Sequence, residues 1–241
     1  MVKNIQDVDK ILYINLESRT DRKQSVVKEL QNIGMVGERF NAVKLPTGPS
    51  ALGCSMSHLK CLEMAKKNNW SNVLICEDDI IFLDPVLFLK QMNRFLEKKD
   101  NWDVVLLAGN NMLPFTPIDD TCIQVHNCLT TTGYIVKKHY YDILIQNYKE
   151  GILELMKNPE DKKTYAIDKY WLKLQQKDAW YLITPLSVVQ YENHSDIEGK
   201  KTNFIKYMLN YNKIMGQSPK APSEPQVGAS EALGRSLRAE P

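Results

Sequence analysis

The stretch Val73-Leu74-Ile75-Cys76-Glu77-Asp78-Asp79-Ile80-Ile81-Phe82 places three consecutive acids between two apolar runs. A short apolar run of this kind predicts a buried strand of a central sheet. Carboxylates at the end of a buried strand are costly without a partner, and hard divalent cations prefer carboxylate oxygens. Two interpretations are open on these residues alone: acids that cap the next helix and face water, or a site for Mg²⁺ or Mn²⁺.

Strand and helix patterns alternate on both sides of these acids. Working outward, the sequence predicts strands at 10–16, 39–43, 73–76, 102–107, 130–136 and 180–185, and helices at 23–33, 55–68, 86–97, 140–147 and 165–172. This alternation predicts an α/β fold with a largely parallel sheet. Ligands of such sheets bind at the carboxyl ends of the strands, so the polar segment 17–22 and the acids are expected to share one edge.

Composition bounds the class of protein. The 241 residues are 43% hydrophobic and 25% charged, which is typical of one large globular domain or two small ones. A net charge of +2 gives no electrostatic case for a nucleic-acid partner. Apolar runs are too short for a transmembrane segment, and residues 1–7 lack the apolar core of a secretory signal. We therefore expect a cytoplasmic protein.

Cysteine usage and the C-terminal composition add two expectations. The five cysteines form no CxxC pair, which favours a reducing compartment over a disulfide framework or a structural zinc site. Residues 218–241 hold four of the eleven prolines and no aromatic residue. Such a segment is too poor in large apolar side chains to fold alone, so the sequence predicts a domain at 1–216 and a disordered tail at 217–241.

Two further groups of residues are candidates for chemistry. Arg19 and Arg22 could bind phosphate or ribose, since arginine forms fork-like bonds to oxyanions, or they could lie in a solvated turn. His58 follows Cys54 by four residues. This pair could be a thiol–imidazole nucleophile, although no oxyanion motif accompanies it, or His58 could be structural.

Six motifs in order along residues 11–197 resemble glycosyltransferase family 25. The motifs are Ile14-Asn15-Leu16 with Arg19, Asp21 and Arg22; Gly53-Cys54 with Ser57-His58; Leu74-Ile75-Cys76-Glu77-Asp78-Asp79; Thr132-Gly133-Tyr134-Ile135, with Gly133 where the family usually has alanine; Ile167-Asp168; and Gln190 with Ser195-Asp196-Ile197. The family includes bacterial lipooligosaccharide galactosyltransferases and collagen hydroxylysine galactosyltransferases.

The resemblance implies a GT-A type (Rossmann-like) domain that binds a nucleotide sugar, usually a UDP-sugar, together with Mn²⁺ (or Mg²⁺), and that inverts the sugar carbon. Within that framework Asp168, an acid flanked by aromatic residues, is the predicted general base. The predicted metal ligands are Asp79, Asp78 and His194. The predicted donor contacts are Asn15, Leu16, Arg19, Arg22, Ser57, His58, Glu77 and Asp78.

The function expected from this resemblance is transfer of a hexose, galactose or glucose, to a hydroxyl of a glycan or of a hydroxylysine-type side chain. Lipopolysaccharide biosynthesis in a bacterial or viral setting fits a cytoplasmic enzyme. Two alternatives are open: a non-catalytic nucleotide-sugar-binding protein of the same fold, and a nucleotidyltransferase, which would release pyrophosphate in place of UDP.

Overall fold

A computed structural model describes residues 2–191, 193–195, 200–202 and 205–213, with the backbone alone at 193–195 and 200–202. The predicted tail at 217–241 lies outside the described residues. Strands are numbered in chain order: β1 (Lys10–Asn15), β2 (Glu38–Asn41), β3 (Asn72–Glu77), β4 (Ile80–Phe82), β5 (Val104–Leu106), β6 (Asn110–Asn111), β7 (Phe115–Pro117), β8 (Cys122–Val125), β9 (Cys128–Leu129), β10 (Gly133–Lys137), β11 (Trp180–Ile183), β12 (Val188–Gln190), β13 (Asn193–Ser195) and β14 (Lys200–Thr202).

Helices alternate with these strands in the first half of the chain. They are α1 (Thr20–Asn32), α2 (Ser50–Lys67), α3 (Pro85–Lys98), α4 (Tyr141–Lys157), α5 (Lys162–Tyr165), α6 (Ile167–Tyr170), α7 (Leu172–Gln175) and α8 (Ile205–Met208). Two short 3₁₀ helices lie at Ile5–Asp7 and Lys138–Tyr140. None of the helices in the described residues is both long and apolar enough to cross a lipid bilayer.

An eight-stranded sheet in the order β2-β1-β3-β10-β5-β11-β8-β7 forms the centre of the fold. The predicted α/β class is confirmed, and the sheet is mixed. β1 runs parallel to β2 and β3, and β5 runs parallel to β11, whereas β10 is antiparallel to both β3 and β5. The chain reaches β10 from β5 through the short strands β6–β9. An antiparallel neighbour needs no helical crossover, so β10 can return directly beside β5.

The core lies on both faces of this sheet, as the apolar character of β3 predicts. Leu74 and Cys76 point into a cluster that includes Val26 of α1 and Phe95 of α3. The intervening Val73 and Ile75 point into the opposite cluster, with residues of α2 and α4. All four of these β3 residues have no exposed surface. Alternation of side chains with a period of two therefore anchors the acid-bearing end of β3 from both sides.

Several elements differ from the sequence prediction. α2 begins at Ser50, five residues before the expected start, so Gly53–His58 lie in its first turns. α4 continues to Lys157, because Ile152 and Leu155 extend its buried face. The helix expected at 165–172 is divided among the short helices α5, α6 and α7. All five cysteines are free thiols, and Cys54 is the one that is partly exposed.

Candidate active site

The parallel pairing of β1 with β3 creates the site. Ile14 lies opposite Glu77 in this pairing, so both strands end at the same edge of the sheet. The turn after β1 carries Arg19, and the turn after β3 consists of Asp78 and Asp79. The expectation that the basic and acidic segments share one edge is confirmed. A cavity of about 400 Å³ opens there, lined among others by the predicted residues Leu16, Arg19, Arg22, Ser57, His58, Glu77, Asp78 and Asp79.

Asp78 is held by two donors from neighbouring elements. Asn15 Nδ2 donates to Asp78 Oδ2 across 2.7 Å, and Arg22 Nη1 donates to Asp78 Oδ1 across 3.0 Å. Arg39 Nε donates to Asn15 Oδ1 across 3.0 Å, which fixes the amide with its NH₂ group toward the acid. Asn15 is buried and is not among the described residues that line the cavity, so its predicted contact with the donor stays a prediction.

Asp79 is held by Gln190 of β12 and lies close to Arg22. Gln190 Nε2 donates to Asp79 Oδ2 across 2.9 Å, and Arg22 Nη1 lies 3.6 Å from the same oxygen. Gln190 reaches this position because β12 pairs with β4, where it lies opposite Ile80. The second oxygen, Asp79 Oδ1, is buried and has no hydrogen-bond partner among the described residues. Burial, and next the charge of Glu77, raise the pKa of Asp79 to about 7.

Glu77 contacts side chains of α2 and of the segment before β10. Its Oε1 accepts from the Thr131 hydroxyl, lies 3.2 Å from His58 Nε2, and is 3.6 Å from Cys54 Sγ. Burial acts to raise the pKa of Glu77, but the hydrogen bond and charge of His58 outweigh it, and the net pKa lies below the ordinary value. Burial also raises the pKa of Asp78. The three adjacent acids therefore have three different environments.

Ser57 has a structural role in addition to lining the cavity. Its Oγ donates to the Gly53 carbonyl across 2.7 Å and accepts from the Val43 amide across 2.8 Å. A Cβ on Gly53 would lie only 2.5 Å from the Val43 carbonyl oxygen. Glycine at this position thus permits α2 to approach the segment after β2 and close one wall of the cavity.

The donor set fits a hard divalent cation. Asp78 and Asp79 present carboxylate oxygens beside the cavity, and carboxylates are the ligands that Mg²⁺ and Mn²⁺ prefer. The buried, unpartnered Asp79 Oδ1 is the observation that favours a cation here, because an unsatisfied buried acceptor is costly. The side chain of His194, the third predicted ligand, lies outside the described residues.

Asp168 lies on α6, and its Oδ2 accepts from the Thr130 amide across 3.1 Å. Burial, and to a smaller extent the charge of Glu77, raise its pKa. The charge of Asp168, after burial and the charge of Glu77, also raises the pKa of the Cys54 thiol. Within the described chain Asp168 is not among the residues that line the cavity. Its role as a general base stays a prediction.

Sequence reasoning missed several residues of the site. Gln190 was recognised only as part of a motif, although it bonds Asp79. Arg39 and Thr131 were not considered, and they bond Asn15 and Glu77. Lys44, which lines the cavity, stands in a segment without any motif. The glutamine in the closing motif was a usable signal, whereas the other three contacts depend on tertiary placement.

Two solved glycosyltransferase structures are similar to this chain over most of its length. A glycosyltransferase involved in the glycosylation of the major capsid of PBCV-1 is 13% identical, with a TM-score of 0.40 over 72% of this chain and 80% of that one. A Drosophila galactosyltransferase 7 mutant in complex with manganese, UDP-Gal and xylobiose is 12% identical, with a TM-score of 0.38 over 87% of this chain and 81% of that one.

Sequence comparison gives the family. A "Glycosyltransferase 25 family member" from Anopheles gambiae is 24% identical in an alignment of 188 positions that covers 66% of this chain. The chain spans only 30% of the length of that relative. The sequence profile of glycosyltransferase family 25, described as "LPS biosynthesis protein", matches residues 47–171, more than half of the chain. The chain therefore belongs to glycosyltransferase family 25.

Proposed function

We propose that this chain transfers a hexose, galactose or glucose, from a UDP-sugar to an acceptor hydroxyl, with inversion and with the help of Mn²⁺ or Mg²⁺. One observation carries the proposal: the chain belongs to a glycosyltransferase family, and its acids Asp78 and Asp79 are positioned by Asn15, Arg22 and Gln190 at a cavity. The acceptor in this proposal is a hydroxyl of a glycan or of a hydroxylysine-type side chain.

The basic side chains of the cavity account for binding of a diphosphate. Arg19, Arg22 and Lys44 line the same space as the acids. Arg22 donates to Asp78, and Arg19 donates to Asp21, so both guanidinium groups are oriented before a donor arrives. Lys44 is exposed, and its ammonium group can turn toward phosphate oxygens. Leu16 contributes apolar wall at the end of β1.

Asp78 and Asp79 would hold the divalent cation in this proposal. When bound, such a cation neutralises the negative charge that develops on a departing nucleoside diphosphate. The protein's part is orientation: Asn15 fixes Asp78, and Gln190 fixes Oδ2 of Asp79 so that Oδ1 is available to the cation. Contacts to His194 are proposed from the family resemblance alone.

Asp168 is the proposed general base. The Thr130 amide fixes Oδ2, so Oδ1 is the oxygen that would take the proton of the acceptor hydroxyl. Burial raises the pKa of Asp168, which makes its carboxylate a stronger base than an exposed aspartate. Two aromatic neighbours on the same short segment, Tyr165 and Tyr170, could stack against an acceptor sugar.

The experiment that tests the proposal is a panel of UDP-sugars incubated with Mn²⁺ and followed by UDP release. We expect slow hydrolysis of one UDP-hexose by the wild-type chain, and loss of that activity in Asp79→Ala. Binding of UDP-sugars without any UDP release would support a non-catalytic protein instead. Release of pyrophosphate from a sugar 1-phosphate and a nucleoside triphosphate would support a nucleotidyltransferase, and either result would overturn the proposal.

The cellular setting is also proposed. All five cysteines are free thiols, which fits a reducing compartment such as the cytoplasm. In that compartment the chain would modify glycan precursors, as the family description of lipopolysaccharide biosynthesis suggests.

A further inference from the structure

Cys54, His58 and Glu77 bring three different kinds of metal-binding atom together. The thiol sulfur, the imidazole nitrogen and a carboxylate oxygen all lie within 4.8 Å of one another. Cys54 and His58 are four residues apart on α2, which puts both on one face of the helix. Glu77 approaches that face from the end of β3. The cluster borders the cavity, so it is reachable from solvent.

Two of the three distances between these atoms match the edges of a small coordination tetrahedron. His58 Nε2 lies 3.2 Å from Glu77 Oε1, and Cys54 Sγ lies 3.6 Å from the same oxygen. Zinc bonds of about 2.0 Å to oxygen or nitrogen and about 2.3 Å to sulfur give tetrahedral edges of roughly 3.3–3.5 Å. The two distances to Glu77 Oε1 are within a few tenths of an ångström of these edges, and the third distance, between the thiol and the imidazole, is at most 4.8 Å.

The surroundings of His58 resemble the second shell of a metal site. A ligating histidine typically bonds a fixed partner through its other nitrogen. Here His58 Nδ1 lies 2.9 Å from Tyr134 Oη, and Tyr148 donates to that hydroxyl across 3.2 Å. A hydroxyl can donate or accept, so Tyr134 can accept from Nδ1–H when Nε2 offers its lone pair to a metal. His58 is fully buried, which holds the ring in place.

We propose that Cys54, His58 and Glu77 form a binding site for a divalent cation of the Zn²⁺ class, distinct from the hard-cation site at Asp78 and Asp79. Sulfur and imidazole ligands favour Zn²⁺ over Mg²⁺ or Mn²⁺. The fourth position faces the cavity and takes water or an oxygen of a ligand. The proposal does not depend on the glycosyltransferase activity, since its test measures metal binding alone.

Charge and protons balance at this site. Glu77 binds as the carboxylate, and His58 binds as the neutral ring, so the proton that gives His58 its charge beside Glu77 leaves when the metal binds. Burial raises the pKa of the Cys54 thiol, so the thiol is protonated without metal and also releases its proton when it binds. A dication, one thiolate and one carboxylate sum to zero charge. That neutrality favours the complex at a partly buried position.

The test is titration of the metal-free full chain with Co²⁺, a spectroscopic substitute for Zn²⁺. We expect a thiolate-to-cobalt charge-transfer band that saturates at one equivalent and that Zn²⁺ displaces. Cys54→Ser should abolish the band, and Glu77→Gln should weaken Co²⁺ binding at least tenfold. Tyr134→Phe keeps the ring and removes the partner of His58, so we expect affinity to fall by about 10- to 100-fold.

Two matched variants separate this site from its neighbours. Cys61→Ala removes another cysteine of α2 and should leave the band unchanged. Asp79→Asn removes the hard-cation ligand and should also leave the band unchanged. Absence of the band in the wild type, or its persistence in Cys54→Ser, would overturn the proposal. If Cys54→Ser does not fold by circular dichroism, the Glu77→Gln result decides, with unchanged affinity counting against the site.

Discussion

Arg22 donates to Asp78 across 3.0 Å and lies 3.6 Å from Asp79, so one guanidinium group faces both carboxylates. The contact joins the first turn of α1 to the turn that follows β3. Both acids are 8% exposed, which makes the positive charge of Arg22 important for their burial. A divalent cation at these acids would share its ligands with this arginine, so Arg22 affects both the stability of the chain and the proposed donor site.

Arg22→Ala should therefore destabilise the protein. The substitution leaves two largely buried carboxylates without their cationic partner, and the expected loss is roughly 1–3 kcal/mol in free energy of unfolding. Thermal and urea unfolding of the metal-free chain measure it. Arg19→Ala is the matched control, because the Asp21 side chain it pairs with is 64% exposed. Such an exposed pair contributes less than about 1 kcal/mol. Equal losses in the two variants would contradict this explanation.

Asp79→Asn should stabilise the metal-free chain in a pH-dependent way. The pKa of Asp79 is raised from 3.8 to about 7 in the fold, so the folded state binds the proton more tightly than the unfolded state. Stability contributed by that proton is present below the unfolded pKa and is lost as the pH rises toward 7. Asparagine has no such proton, and its amide can keep the bond from Gln190 through Oδ1.

The measurement for Asp79→Asn is unfolding of wild type and variant between pH 4 and pH 8. We expect near-equal stability at pH 4 and an advantage of the variant of roughly 1–3 kcal/mol at pH 8, reduced by the lost attraction to Arg22. UDP-sugar hydrolysis by Asp79→Asn should be lost at both pH 4 and pH 8. If the variant is less stable than wild type at pH 8, burial does not destabilise the ionised Asp79 carboxylate, and this explanation is wrong.

Much of the fold follows from local patterns in the sequence. The apolar run of β3, buried on both faces, and the meeting of the segment after β1 with the acids were predicted correctly. The α/β class is confirmed by the central sheet, and the family by the match over residues 47–171. These features depend on periodicity and chain order, which a single sequence displays directly.

What the sequence could not supply is long-range placement. β10 lies antiparallel to its neighbours because the chain reaches it through β6–β9. These strands have two to four residues and are too short to show a periodic pattern in the sequence. α4 was predicted to end at 147, whereas in the structure it continues to Lys157. In the structure Asn147 Nδ2 donates to the Tyr170 carbonyl, and the Tyr170 ring would lie 3.0 Å from a Cβ on Gly151. Both residues serve contacts with a segment some 20 residues away in the chain.

Because the sequence has no CxxC pair, it gave no reason to expect a zinc site. The juxtaposition of Cys54 and His58 with Glu77 depends on how α2 packs on the end of β3. Spacing along the chain gives the i, i+4 pair on the helix, but the third atom comes from a different element. Contacts of this kind are visible only once the fold is known.

Gly53→Ala should cost more stability than Gly133→Ala. The new Cβ at 53 would lie 2.5 Å from the Val43 carbonyl oxygen, and a backbone atom cannot move aside without shifting α2. At 133 the nearest atom is Ile80 Cδ1 at 2.9 Å, the mobile end of a side chain. We expect a loss of roughly 1–3 kcal/mol at 53 and less than about 1 kcal/mol at 133.

Unfolding midpoints of the two glycine variants provide the comparison. Displacement of α2 would also break the bond from the Val43 amide to Ser57, so Gly53→Ala should weaken UDP-sugar binding as well. Gly133→Ala introduces the residue that is usual in the family and should keep binding intact. A larger loss at 133 than at 53 would mean that the packing of β10 against β4, not the approach of α2, limits stability.

Asp168→Asn tests the proposed base. If Oδ1 of Asp168 takes the acceptor proton, the variant should lower kcat for transfer by about 10²–10⁴-fold. The KM for the donor should change little, because Asp168 is not among the described residues that line the cavity. The Thr130 amide can still bond the amide oxygen of asparagine, so the fold should be unaffected. Glu160→Gln, an exposed acid on the preceding turn, is the matched control. A transfer rate within threefold of wild type would assign the base to another group, and Glu77→Gln would then be the next variant to measure.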